Sequence, residues 1–423
     1  TILVGGESEA KWNEALSFFS DVLQQRATGP YAVASRVGQG AALAKLNRHE
    51  EAIASYGKAV KQLGSIEGNR VVSLPALRGS LAVTAEMLRQ KGNLRNAVEY
   101  AALAARLTSS DICAEKTLFV QPLALLEEQL AEEISSGMRI DTNRMGDTVM
   151  DAKFLTQSPE AARLFASAAQ HFGELADWNI YDEPRSAEFS WKAAELFAKG
   201  GAFDEAGRCY RNFLSQRPED HRGPTALLRV GQLHYARGEL AQAVEAFQEC
   251  HQRFPRSFDG ARALVPMART YLAMGREKLG DAERALRLVL DDSDVFTPEA
   301  GEFVEGLFLL GDVLERDERY EPAISTLQEA LDRYPGDPRV LRGRFLLGGA
   351  YRKSALAMRV QGREAQGSGD LERIREESAR RFRAAREVYR KLIVGLEYRP
   401  FGGLDEREQM YLRHSYLYEA DCY

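Results

Sequence analysis

Apolar side chains return along the chain at the three-to-four-residue spacing of one helix face, with polar and charged residues between them. Ala323, Leu327 and Ala330 form one such stripe, and Phe382, Ala385, Val388, Tyr389 and Leu392 form another. The same period runs through residues 118–135 and 160–177. Such stripes predict helices of about ten to fifteen residues, each with one face buried against a neighbour. The stripes recur in pairs. Anchored on the alanine of the second helix of each pair, copies fall at Ala15, Ala52, Ala97, Ala206, Ala243, Ala285, Ala323 and Ala385, separated by 37, 45, 109, 37, 42, 38 and 62 residues. Intervals near 37 are single helix-turn-helix units. The 109-residue interval holds one or two degenerate units, with residues 118–135 and 160–177 as two helices split by a loop around 141–146.

Within each unit the residue types have a packing cause. Gly40, Gly231, Gly311 and Gly348 stand on first helices, and Tyr56, Tyr210, Phe247 and Tyr389 stand on second ones. A glycine inside a helix costs about 1 kcal/mol, so its return at one register needs a close neighbour. Pro218, Pro255 and Pro335 cannot continue a helix and end the second one. In the clearest copies Val230-Gly231-Gln232-Leu233-His234 leads to Ala243, Phe247 and Pro255, and Leu310-Gly311 leads to Ala323, Leu327, Ala330 and Pro335. This pattern resembles the tetratricopeptide repeat. The resemblance implies an all-α, right-handed superhelical solenoid of helix-turn-helix repeats.

Departures from the pattern carry their own expectations. The second copy has Ala85 for the glycine and Ala101 for the aromatic, so it should pack thinly. Pro266 falls inside an expected first helix and predicts a late start or a kink. Residues 354–376 are an insertion, read as lengthened helices bridged by a mobile loop. The chain then divides into regular repeats over 1–110, a degenerate region over 111–184, regular repeats over 185–340, and C-terminal repeats with the insertion over 341–423. Residues 9–25 read as a second helix without its first, and 411–423 as a first helix without its second. That arrangement implies ends continued or covered, by a partner or by another copy of the chain.

Composition narrows the classes. Of 423 residues 44% are hydrophobic and 28% charged, with net charge −6, so a wholly basic nucleic-acid surface is ruled out. Four scattered cysteines build neither a disulfide framework nor a zinc site. No apolar run reaches the roughly 18 residues that cross a bilayer, so membrane contact is expected only through a partner or an N-terminal anchor outside the sequence.

Candidate chemistry is sparse, and neither enzyme activity nor any cofactor or metal is expected. Gly38-Gln39-Gly40 lacks the third glycine and the strand of a dinucleotide fingerprint, and His49-Glu50-Glu51 lacks a second zinc-ligating histidine. Thr297 stands where a calcium loop beginning at Asp291 needs glycine. The six histidines share no ligand spacing, and His234 reads as a packed first-helix residue.

What the resemblance implies about function is a scaffold whose first helices line a concave groove that binds a protein or peptide. Carried over position by position, that groove exposes Glu188, Trp191, Lys192, Glu195 and Lys199, then Arg229, Gln232 and Tyr235, then Arg262 and Arg269. It continues with Glu305, Asp312 and Glu315, then Arg342, Arg352 and Lys353. Arg229, Arg262 and Arg269 form a basic centre suited to an acidic partner segment, because guanidinium forks bind carboxylates bidentately. Trp191 and Tyr235 are the candidate aromatic anchors. Val37 and Ala41 occupy the places of the lysine-and-asparagine clamp found in chaperone-binding members, so chaperone tails are not the expected ligand. A basic stretch over 371–392 reads as the wet side of a repeat helix rather than a nucleic-acid site. The copies around Phe254-Pro255-Arg256 and Tyr334-Pro335-Gly336 are similar in style to repeats of bacterial envelope proteins, the outer-membrane assembly lipoproteins and cell-division coordinators. That style points to envelope assembly. The alternative is a regulatory or sensor module serving a catalytic domain outside the sequence.

Overall fold

The structure, a computed structural model, describes residues 5–63, 71–108, 113–136, 158–291, 295–364, 368–398 and 403–423. The regular elements among them are all helical. They run in antiparallel pairs: α1 (Gly5–Gln25), α2 (Pro30–Lys45) with α3 (His49–Leu63), α4 (Leu74–Gln90) with α5 (Leu94–Arg106), and α6 (Cys113–Ser136) with α7 (Pro159–Trp178). Next come α8 (Glu183–Lys199) and α9 (Phe203–Gln216), then α10 (Gly223–Ala236) with α11 (Leu240–Arg253). The broken pair α12 (Phe258–Arg262) and α13 (Leu264–Met274) packs with α14 (Leu279–Leu290). Finally α15 (Gly301–Arg316) pairs with α16 (Tyr320–Arg333), α17 (Val340–Glu364) with α18 (Ser368–Glu397), and α19 (Glu406–Ala420) packs on α18. The 109-residue interval thus holds one further pair, α6 with α7, ahead of α8. Its connecting loop around 141–146 lies outside the described residues.

The turns follow from local chemistry. Asn47, Gly92, Gly201, Gly238, Gly275 and Glu318 take left-handed backbone, with φ between 58° and 113°, each just beyond the end of a first helix. That conformation reverses the chain in two or three residues, and glycine adopts it without a Cβ penalty. Several helices start on side-chain caps: Ser73, Asn93, Ser158, Asp182 and Asp405 each accept a backbone N–H of the following first turn. Pro266 sits in the first turn of α13, where its missing N–H costs no helical bond, and the preceding break at Ala263 separates off α12. The insertion is helical for most of its length, as α17 extends to Glu364 and α18 begins at Ser368. Residues 365–367 of the expected loop lie outside the described residues.

By internal contacts the chain forms two compact units, divided within α9 between Phe213 and Leu214. In each, the glycine–aromatic register is the lock between paired helices. A Cβ on Gly40 would come within 2.8 Å of the Tyr56 ring, one on Gly231 within 2.5 Å of Phe247, and one on Gly348 within 2.7 Å of Tyr389. Tyr56, Phe247 and Tyr389 are buried in consequence. Among the described residues no helix is long and apolar enough to cross a membrane.

Candidate functional site

First helices of the second unit are stitched to one another by opposite charges one repeat apart. Arg262 pairs with Glu302 at 3.1 Å, and Arg269 with Glu305. Glu305 also receives Arg339 at 3.3 Å. Asp312 accepts Arg316 at 2.8 Å from its own helix and Arg342 at 2.5 Å from the next, and Lys353 meets Glu315 at 2.6 Å. Asp312 is 1% exposed and Glu315 6%, so these carboxylates are held inside the stack by their partners rather than by water.

Between α10, α13, α15 and α17 the ladder walls a cleft of about 200 Å³. Tyr235, Leu272, Phe308 and Leu346 supply apolar surface, and Arg269, Arg316, Arg339 and Arg342 surround Glu305 and Asp312. Four guanidinium groups against two carboxylates leave the lining with a net charge of +2. The basic centre expected at Arg229, Arg262 and Arg269 is therefore moved. Arg262 and Arg269 are engaged by glutamates of the next repeat, and Arg229 donates to Gln232 at 2.9 Å. The positive excess comes instead from Arg316, Arg339 and Arg342.

Family models match three stretches: residues 267–338, 225–257 and 35–62, all described as tetratricopeptide repeat. The chain carries tetratricopeptide repeats. No curated protein matches it. Among solved structures it is similar to the P58(IPK) tetratricopeptide domain, at 14% identity and TM-score 0.25 over 99% of this chain and 96% of that one. It is also similar to yeast Tom70, at 11% identity and TM-score 0.33 over 97% and 93% of the two chains. A tetratricopeptide repeat protein from Parabacteroides merdae aligns at 16% identity and TM-score 0.29, over 64% of this chain and 98% of that one.

In the first unit of this repeat protein, the expected groove residues tie α8 to α6. Lys192 reaches Glu128 at 2.7 Å and Lys199 reaches Glu132 at 2.8 Å, while Glu195 adds to the acidic field around Lys199. Trp191, expected as a partner anchor, packs edge-on against Tyr210 and Phe213 at 5.3 Å between ring centres, so its ring closes the α8–α9 pair. Arg352 is likewise not presented to a groove. Its guanidinium lies 4.2 Å over the Tyr418 ring and pairs with Asp421, under α19. Among the described residues no three or more histidine, cysteine or acidic side chains converge as a metal site.

Reading by register alone missed Glu302, Arg316 and Arg339, and the acidic partners Glu128 and Glu132. The signal was present as sign reversals one repeat apart, 36 residues from Arg269 to Glu305 and 38 from Glu315 to Lys353. A further buried cluster joins α6 to α7, where Glu127 accepts Ser167 at 2.8 Å and holds His171 at 2.9 Å. Burial opposes the charged form of His171, but the hydrogen bond and charge of Glu127, with Glu174, more than offset it and raise its pKa. A raised folded-state pKa gives stability that is full below the unfolded value of about 6.5 and is lost as pH rises through the folded value. Denaturant midpoints of the wild-type protein should thus fall between about pH 6 and pH 8, and those of His171→Gln should stay flatter. Parallel profiles would show that the pair stores no such stability.

Proposed function

We propose that this repeat protein is a non-catalytic interaction scaffold whose second unit takes a carboxylate-bearing segment of a protein partner in the cleft between α10, α13, α15 and α17. The +2 excess of the cleft lining supports this reading, since Glu305 and Asp312 are each already bracketed by two arginines and a third carboxylate lowers the remaining excess to +1. Tyr235 and Phe308 on the same walls offer apolar surface beside the arginines. A hydrogen bond to a charged group contributes about 1.5–3 kcal/mol, which is about tenfold or more in affinity.

The test is fluorescence anisotropy with labelled hexaglutamate and hexaglutamine. Hexaglutamate should bind the wild-type protein at least about tenfold tighter. Arg269→Gln with Arg339→Gln, which takes the lining to neutrality, should remove that preference, whereas Glu305→Gln should strengthen it. Equal binding of the two peptides, or a preference untouched by all these substitutions, would remove the carboxylate reading.

A further inference from the structure

The repeat of α4 and α5 lacks the large side chain that closes four other repeats. Elsewhere the first-helix glycine faces a large second-helix residue: Tyr56, Phe247, Leu327 or Tyr389 lies directly over the site of the missing Cβ. On α4 and α5 those two positions are Ala85 and Ala101. The result is a cleft of about 900 Å³ within the first unit, floored by Ala82, Ala85, Ala101 and Ala104 and walled by Leu118 and Leu125 of α6. That volume lies in the range of ligand and anchor pockets and exceeds what the packing interior leaves empty.

The apolar surface does not stop at the cleft. Leu118 is 65% exposed and Leu125 47%, and Ile180 and Tyr181, next to the lining residue Asn179, stand 65% and fully exposed. Large apolar residues grouped around a socket mark a surface that another chain covers. The charge of the rim selects its character. Arg89 and Arg185 line the mouth with one carboxylate, Glu86, which accepts Arg89 at 2.7 Å and Gln90 at 2.9 Å, while Arg185 lies 3.7 Å from Asp182 just outside the lining. On the wall, Pro122 has no N–H to donate to the Leu118 carbonyl one turn earlier, which leaves an acceptor for an incoming donor.

We infer that this socket receives an amphipathic helix of a partner protein, inserting an aromatic side chain with an N–H or O–H donor, flanked by acidic residues. The inference stands apart from the carboxylate cleft, which belongs to the other unit.

The test uses labelled helical peptides of about 15 residues built on alanine and glutamate with a central tryptophan, beside one with alanine for tryptophan and one with lysine for glutamate. The wild-type protein should bind the tryptophan–glutamate peptide at least about tenfold tighter than either counterpart. Ala85→Gly with Ala101→Phe rebuilds the Gly231–Phe247 lock and fills the socket from within. It should lose that preference while melting as cooperatively as the wild type. Leu118→Ser with Leu125→Ser, at exposed positions, should give the same loss if the filled variant does not fold. Unchanged affinity in the folded filled variant, or indifference to tryptophan or to charge sign, would overturn the inference. So would a wild-type dimer in sedimentation that becomes monomeric on filling, because the occupant would then be a second copy.

Discussion

Replacing Gly260 with alanine is expected to destabilise the protein by about 3 kcal/mol, at the upper end of the overpacking range. The reason is that the added Cβ would overlap the Phe254 carbonyl oxygen, which is backbone and cannot turn aside as a side chain does. Ser257 closes the same turn by accepting the Gly260 N–H at 3.0 Å and donating to the Phe254 carbonyl at 2.9 Å. Relief of the clash must therefore pull apart the cap that starts α12. That helix carries Arg262 to Glu302, so the first rung of the charge ladder should loosen together with the turn. Chemical denaturation with a parallel Gly395→Ala variant makes the comparison sharp. Nothing stands within 4 Å of a Cβ at Gly395, so there alanine should be neutral or stabilising by less than about 1 kcal/mol. Equal costs at the two sites would mean that the close approach at Phe254 is not what excludes a side chain.

The same steric logic made much of the fold legible in the sequence. Glycine and aromatic at a fixed separation encode how near two helices approach, and Gly231 with Phe247 meets that distance in the structure. The irregular pair at 118–135 and 160–177 was readable as helix because the apolar period survives there, although the glycine register does not. Site residues were less legible, for a physical reason. Register tells which side of a helix a residue occupies but not whether a neighbour one repeat away neutralises it. Arg262 and Arg269 lie on first helices, yet glutamates of the next repeat hold them. Trp191 and Arg352 are drawn off differently, by aromatic rings of the adjoining helices. Only Tyr235 and Arg269, of the residues expected to face a partner between 229 and 269, reach the wall of the charged cleft. The empty socket beside Ala85 was half legible: two alanines announce thin packing, but the mouth between Leu118 and Leu125 depends on where α6 settles.

The second large effect should come from stripping Asp312 of both its arginines. Its side chain is 2% exposed, whereas Arg316 is 49% exposed and Arg342 29%, so the three groups do not carry equal risk. Removing one arginine leaves the carboxylate the other, and the cost should stay near 1 kcal/mol, as for a partly hydrated pair. Arg316→Met with Arg342→Met leaves a buried carboxylate with neither of these cations, and the cost should rise to about 3 kcal/mol, more than the two single losses added. Adding Asp312→Leu to that background should return most of the stability, because the charge that needed compensation is gone. Simple additivity, or no rescue by leucine, would mean that Asp312 is satisfied by some other group and that the arginines serve the cleft alone. The expected non-additivity has a consequence for binding. Both arginines also line the carboxylate cleft, so a charge lost there weakens the stack and the site together. Arg269 and Arg339, around the more exposed Glu305, are for that reason the pair whose neutralisation separates ligand affinity from folding.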